Sequence, residues 1–127
     1  MPDSIETAGR MTEALETLER ARGHLFSFHQ LIGSADLALD DVLEGLRANG
    51  SAELADALER DLLGRNVLEG RWTFQIVEEF EDGYYATFRD FERRVRDALV
   101  DGRRHVYEAQ MKERRRTHGH PDHTERP

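Results

Sequence analysis

An apolar residue recurs every seven positions from Met11 to Leu46: Met11, Leu18, Leu25, Ile32, Leu39 and Leu46. Three residues after each of the first five stand Ala14, Ala21, Phe28, Ala35 and Val42. Such an a/d alternation is the pattern of one long helix laying a narrow seam against other helices. The spacing predicts a helix over about 8–48. Gly23 and Gly33 fall on its flanks, and Gly33-Ser34 is the expected kink. Asn49-Gly50 supplies a left-handed stop, and Ser51 a start for a second helix over 52–63 with Leu54, Ala55, Leu58, Leu62 and Leu63 as its apolar side. Residues 65–70 read as a loop pinned onto the helices.

A third helix is expected over 71–116, with the stripe Phe74, Val77, Tyr84, Phe88, Phe91, Val95 and Ala98. Asp82-Gly83 and Asp101-Gly102 are the places where it would break. Seven aromatic residues lie between Trp72 and Phe91. Their bulk is expected to fill against the small Ala35 and Ala38 of the first helix. Residues 1–7 are expected to be disordered, and 117–127 to form a flexible tail.

The fold class implied is all-α: a long antiparallel helical hairpin with a short intervening helix, residues 8–116 forming one domain. Two long helices cannot cover every apolar stripe. The hairpin is therefore expected to dimerise into a bundle of four long helices. Composition agrees, because the only prolines are Pro2, Pro121 and Pro127, and good helix formers dominate.

A net charge of −8 over 127 residues argues against a nucleic-acid binder driven by general electrostatics. The acid excess lies in the first sixty residues, whereas 101–127 is mildly basic. Lys112 is the only lysine among 18 basic residues, a usage that fits a GC-rich genome or a salty cytoplasm. Without cysteine there are no disulfides, thiolate metal sites or cysteine nucleophiles. No secretory leader or membrane-length apolar run is visible, so a cytoplasmic protein away from membranes is expected.

Four groups of residues are candidates for chemistry. His24 and His29 flank the seam, but a spacing of five does not put two ligands on one helical face, and half-buried histidines bonded to carboxylates are expected. His105 and Glu108 do share a face, in the reverse order of the Glu-x-x-His pair of di-iron bundles. With Glu78 and Glu81 they form a candidate iron or manganese site of ferritin-like type. Within one straight helix Glu81 and His105 lie roughly 36 Å apart, so the site needs a dimer whose third helices cross about Arg93. Glu81 stands where the stripe expects a hydrophobe, and its other reading is an interhelical Glu-His or Glu-Arg pair that sets register.

Arg103, Arg104, Arg114, Arg115 and Arg116 suit a helix C-terminus, or a hold on RNA, a ribosomal surface or an acidic partner. In the tail, His118, His120 and His123 with Asp122 could capture a divalent cation. No phosphate loop, Ser-His-Asp set or His-Glu-x-x-His occurs.

The segments GRNVLEGRWTFQIVEEFEDGYY (64–85) and HVYEAQMKERRRTHG (105–119) resemble those of short acidic all-helical proteins from halophilic archaea and actinobacteria, a group with no assigned function. The resemblance covers the C-terminal half and implies no residue roles. Taken together, the residues point to a non-enzymatic, homo-oligomeric helical module for interaction or regulation.

Overall fold

The structure, a computed structural model, describes residues 3–126. It is all-helical. Helix α1 (Ser4–Ala48) is followed by α2 (Ala52–Asp61) and α3 (Thr73–Phe80). A π-helical turn (Glu81–Tyr85) leads into α4 (Ala86–Val100), and α5 (Val106–Arg115) ends the helical part. An isolated antiparallel bridge between Leu68 and Arg71 is the only extended pairing among the described residues.

Helix α1 runs unbroken through Gly23 and Gly33, neither of which ends it. It also begins earlier than expected, because Asp3 accepts the backbone N–H of Glu6 at 2.7 Å and caps the first turn. Thus 4–7 are helical; Met1 and Pro2, the rest of the expected disordered start, lie outside the described residues. At its far end Gly50 takes φ +79°, and the Ser51 N–H reaches back to the Leu46 carbonyl at 2.8 Å. Arg47 then joins α1 to α2 by donating to Asp56 at 2.9 Å and Glu59 at 2.8 Å.

The single third helix expected over 71–116 is replaced by three helices and a π turn. Gly83 does not break the chain. It sits inside the wider turn, which admits one extra residue without ending the helical path. Asp101-Gly102 does break it: both residues take positive φ, and the Gly102 N–H bonds the Arg96 carbonyl at 2.9 Å.

The chain divides into two compact units. The first comprises 1–19 and 84–127, the second 20–83. With 45 residues, α1 is roughly 68 Å long, far more than one small core can span, so its two ends are packed by different partners.

In the first unit, Ala8 and Gly9 of α1, Tyr85, and Glu92 and Val100 of α4 are buried. The contact with α5 is close, because a Cβ at Gly9 would stand 2.6 Å from the Cβ and Cγ of Tyr107. In the second unit Ala55, Thr73 and Val77 are buried, Ala55 completely.

Residues 117–126, expected to be a flexible tail, are wound into turns: the His120 N–H reaches Thr117 O at 3.3 Å and the His123 N–H reaches His120 O at 3.0 Å. Pro127 lies outside the described residues.

Candidate functional site: two faces of the first helix

Half of the expected seam of α1 faces inward. Met11, Leu18, Leu25, Ile32, Leu39 and Leu46 are all half-buried, but Ala14, Ala21, Phe28, Ala35 and Val42 are exposed. Their place is taken by the residues one position further on: Leu15, Arg22, His29, Asp36 and Leu43, every one half-buried. The spacing of three and four is the same; one line stays and the other moves by one residue, so the inward face is turned by roughly 50°. The correction has a plain cause. An apolar criterion prefers Ala21, Phe28 and Ala35 to Arg22, His29 and Asp36, yet the polar residues are the inward ones.

Each of these three is answered by a partner in the same unit. Arg22 donates Nε and Nη2 to Glu81 Oε1 at 3.0 and 2.8 Å. His29 Nδ1 is hydrogen-bonded to Thr73 Oγ1 at 2.6 Å, and Thr73 is itself buried. Asp36 accepts the Gly64 backbone N–H at 2.9 Å, where the chain leaves α2 with Gly64 at φ +69°. Three polar rungs, seven residues apart, therefore fasten the π turn, the start of α3 and the end of α2 to successive turns of α1. Each contributes on the order of 1 kcal/mol, and a slip of register would break all three at once.

The same substitution of polar for apolar recurs on the facing helices. Phe74, Tyr84 and Phe91, expected in the stripe, are exposed, while Thr73, Tyr85 and Glu92 are buried. In the first unit the Glu92 carboxylate, 6% exposed, accepts from Thr12 Oγ1 at 3.1 Å and Arg96 Nε at 2.7 Å. Arg96 spends another N–H on the Gly102 carbonyl at 3.0 Å. Tyr85 donates its hydroxyl to Glu19, and Arg89 lies over its ring at 5.7 Å.

The candidate metal residues fall in separate places. Glu78 is exposed, and Glu81 is engaged by Arg22. Both belong to the second unit, whereas His105 and Glu108 belong to the first. His105 and Glu108 border one cleft with Arg96 and Arg103, little larger than a water molecule. Arg96 is bonded to Glu92 and the Gly102 carbonyl, and Arg103 to the Val100 carbonyl. His105 itself is exposed, at φ +60° as the residue before α5.

His24 is exposed, and His29 meets a hydroxyl where a carboxylate was expected. Of the tail histidines, His120 Nδ1 accepts the Asp122 N–H at 3.1 Å, and His123 Nδ1 accepts the Thr117 N–H at 3.0 Å. His118 Nε2 lies 2.8 Å from Glu113. Glu113 also takes Arg116, and the two contacts, Arg116 first, lower its pKa from 4.5 to about 2. Among the arginines, Arg103 donates to the Val100 carbonyl and Arg116 to Glu113 and the His123 carbonyl. Arg104, Arg114 and Arg115 are exposed.

The sequence pattern did not reveal how much apolar surface stays outside. Phe28, Leu31, Leu37, Val42, Leu54, Leu62, Leu68, Trp72 and Phe74 of the second unit are exposed, Leu31 at 67% and Trp72 at 57%. Among the described residues of the first unit the exposed large apolar ones are Tyr84, Phe91, Leu99 and Met111. No described helix is long and apolar enough to cross a membrane. Comparison with protein-family models, curated proteins and solved structures finds no match to this chain.

Proposed function

We propose that this chain is a non-enzymatic, cytoplasmic helical module that acts by self-association and by presenting helical surfaces to other proteins. One observation carries the reading. The described residues bury only Ala8, Ala55, Val77, Tyr85 and Val100 among the hydrophobics, while thirteen large apolar side chains stand exposed. Burying apolar surface is the main favourable term in association, and exposure concentrated on one part of a chain is the mark of an interaction surface. The polar side chains inside the structure are consumed by one another, which suits a scaffold: Arg22 with Glu81, His29 with Thr73, Thr12 and Arg96 with Glu92.

Sedimentation velocity on the purified full chain, from about 1 to 100 μM, tests this. A dimer or larger species with concentration-dependent weight is expected; a monomer throughout the range overturns the self-association reading. The competing reading, a ferritin-like iron or manganese protein, draws on His105 and Glu108 bordering one cleft. Elemental analysis of the same peak separates the two, since that reading requires bound metal in stoichiometric amount.

A further inference from the structure

The exposed residues of α1 in the second unit are not scattered. Phe28, Leu31, Ala35, Ala38 and Val42 are spaced three, four, three and four apart, and all are exposed. This is a second heptad seam on the same helix, about 21 Å long and turned roughly 100° from the one that packs inside the unit. Sequence alone merged half of it into the first seam. Another exposed apolar pair, Trp72 and Phe74, stands at the level of Phe28 along α1, because the His29 bond to Thr73 sets the height of α3 there. Those two rings touch edge to face with centroids 5.4 Å apart.

Resting on the self-association reading, we infer that this strip binds the same strip of a second copy, the two α1 helices running antiparallel about residue 33. The order of side-chain sizes selects that arrangement. In antiparallel packing a position of one kind meets a position of the other, so residues whose numbers sum to 66 share a layer. Phe28 then lies against Ala38, and Leu31 against Ala35. The same two layers recur on the other side of the axis, and His24 meets Val42 at each end. Every central layer pairs a large side chain with an alanine, which is how facing helices fill space without voids.

Parallel pairing puts Phe28 on Phe28 and Ala35 on Ala35. That alternates crowding with a gap.

Charge selects the same direction. The strip carries exposed Arg20 and His24 at its beginning and is flanked by exposed Asp41 at its end. Antiparallel copies bring the basic end of each towards the Asp41 end of the other, whereas parallel copies set Asp41 beside Asp41 and Arg20 beside Arg20. Ser27 and Ser34 flank the strip on one side and leave room for close approach. A stable interface takes about 800 Å² from each partner. Five residues of one helix fall short of that, so the interface also needs exposed apolar residues from outside α1, and Trp72 and Phe74 at the level of Phe28 are the first candidates.

The experiment uses the full chain and two variants at exposed helical positions, Leu31→Glu and Ala35→Arg, with circular dichroism as the check that each remains helical. Sedimentation is expected to show the dissociation constant of the dimer rising at least tenfold in both. If the wild-type chain is a monomer, the self-association reading and this one fail together. If wild type and both variants are equally dimeric, self-association stands and this strip is not its surface.

Direction is read separately in a chain that has no natural cysteine. Oxidation is expected to cross-link Ser34→Cys, which lies beside its own copy at the axis, and to leave Ser27→Cys uncross-linked. Any other pattern overturns the antiparallel arrangement.

Discussion

The two units solve the same problem in opposite ways. The unit built from 1–19 and 84–127 concentrates its specificity at two points, the close contact of Gly9 with Tyr107 and the buried Glu92 carboxylate held by Thr12 and Arg96. The unit built from 20–83 distributes it over three polar rungs on a half-exposed seam, and leaves nine large apolar residues outside. A concentrated design is brittle to single changes and little suited to binding. A distributed one tolerates single changes and keeps a surface free for another helix.

The largest effect that would test this contrast is at Glu92. Glu92→Ala strands the Arg96 guanidinium, 13% exposed, without its carboxylate, and should cost about 3 kcal/mol in chemical denaturation. A loss below about 1 kcal/mol would mean that the buried pair is not what holds the first unit.

Next come the glycines. Gly9→Ala forces a Cβ against Tyr107 and should destabilise by roughly 1–3 kcal/mol, with α5 losing amide-exchange protection first. Gly23→Ala in the other unit meets no atom within 4 Å and should instead stabilise by about 0.5–1 kcal/mol. Equal effects at the two glycines would remove the distinction between the units.

A smaller change is expected at a single rung. His29→Ala should cost about 1 kcal/mol, whereas the pair His29→Leu with Thr73→Val should be close to neutral, because it deletes donor and acceptor together. Thermal melts of the three chains decide it; a double variant as damaged as the single one would show that the rung matters beyond its own bond.

The weakest effect is on the tail. Arg116, and after it His118, hold the pKa of the Glu113 carboxyl at about 2. A group with a depressed folded pKa stabilises above its unfolded value near 4.5, and that contribution fades as the pH falls from there through about 2. Carboxyl chemical shifts should show Glu113 titrating near 2, and Glu113→Gln should abolish the acid-induced loosening of 117–126. A midpoint near 4.5 would mean that the tail contacts are not kept in solution.

Much of the architecture could be read from the order of residues. The all-helical class, the stop at Asn49-Gly50, the break at Asp101-Gly102 and the regular line Met11, Leu18, Leu25, Ile32, Leu39 and Leu46 all depend on local rules of period, propensity and left-handed glycine. Glu81 was also recognisable as a misfit in an apolar stripe. Its answer, Arg22, was not, because the two are 59 residues apart and only packing brings them together. The π turn escaped for a similar reason: Gly83 signals a break, and whether a helix breaks or merely widens depends on whether Glu81 and Tyr85 find partners.

The chain's letters determined by themselves that α1 exists and that one regular apolar line, Met11 to Leu46, runs along it; which residues stand beside that line on the inward side they left open. The choice between Ala21, Phe28 and Ala35 and their neighbours Arg22, His29 and Asp36 was made by tertiary structure. Burial of Arg22, His29 and Asp36 is favourable only when Glu81, Thr73 and the Gly64 N–H arrive to satisfy them, and no local rule contains that information. Once they do, the polar line turns inward and the greasier line of Phe28, Leu31 and Val42 is left facing out.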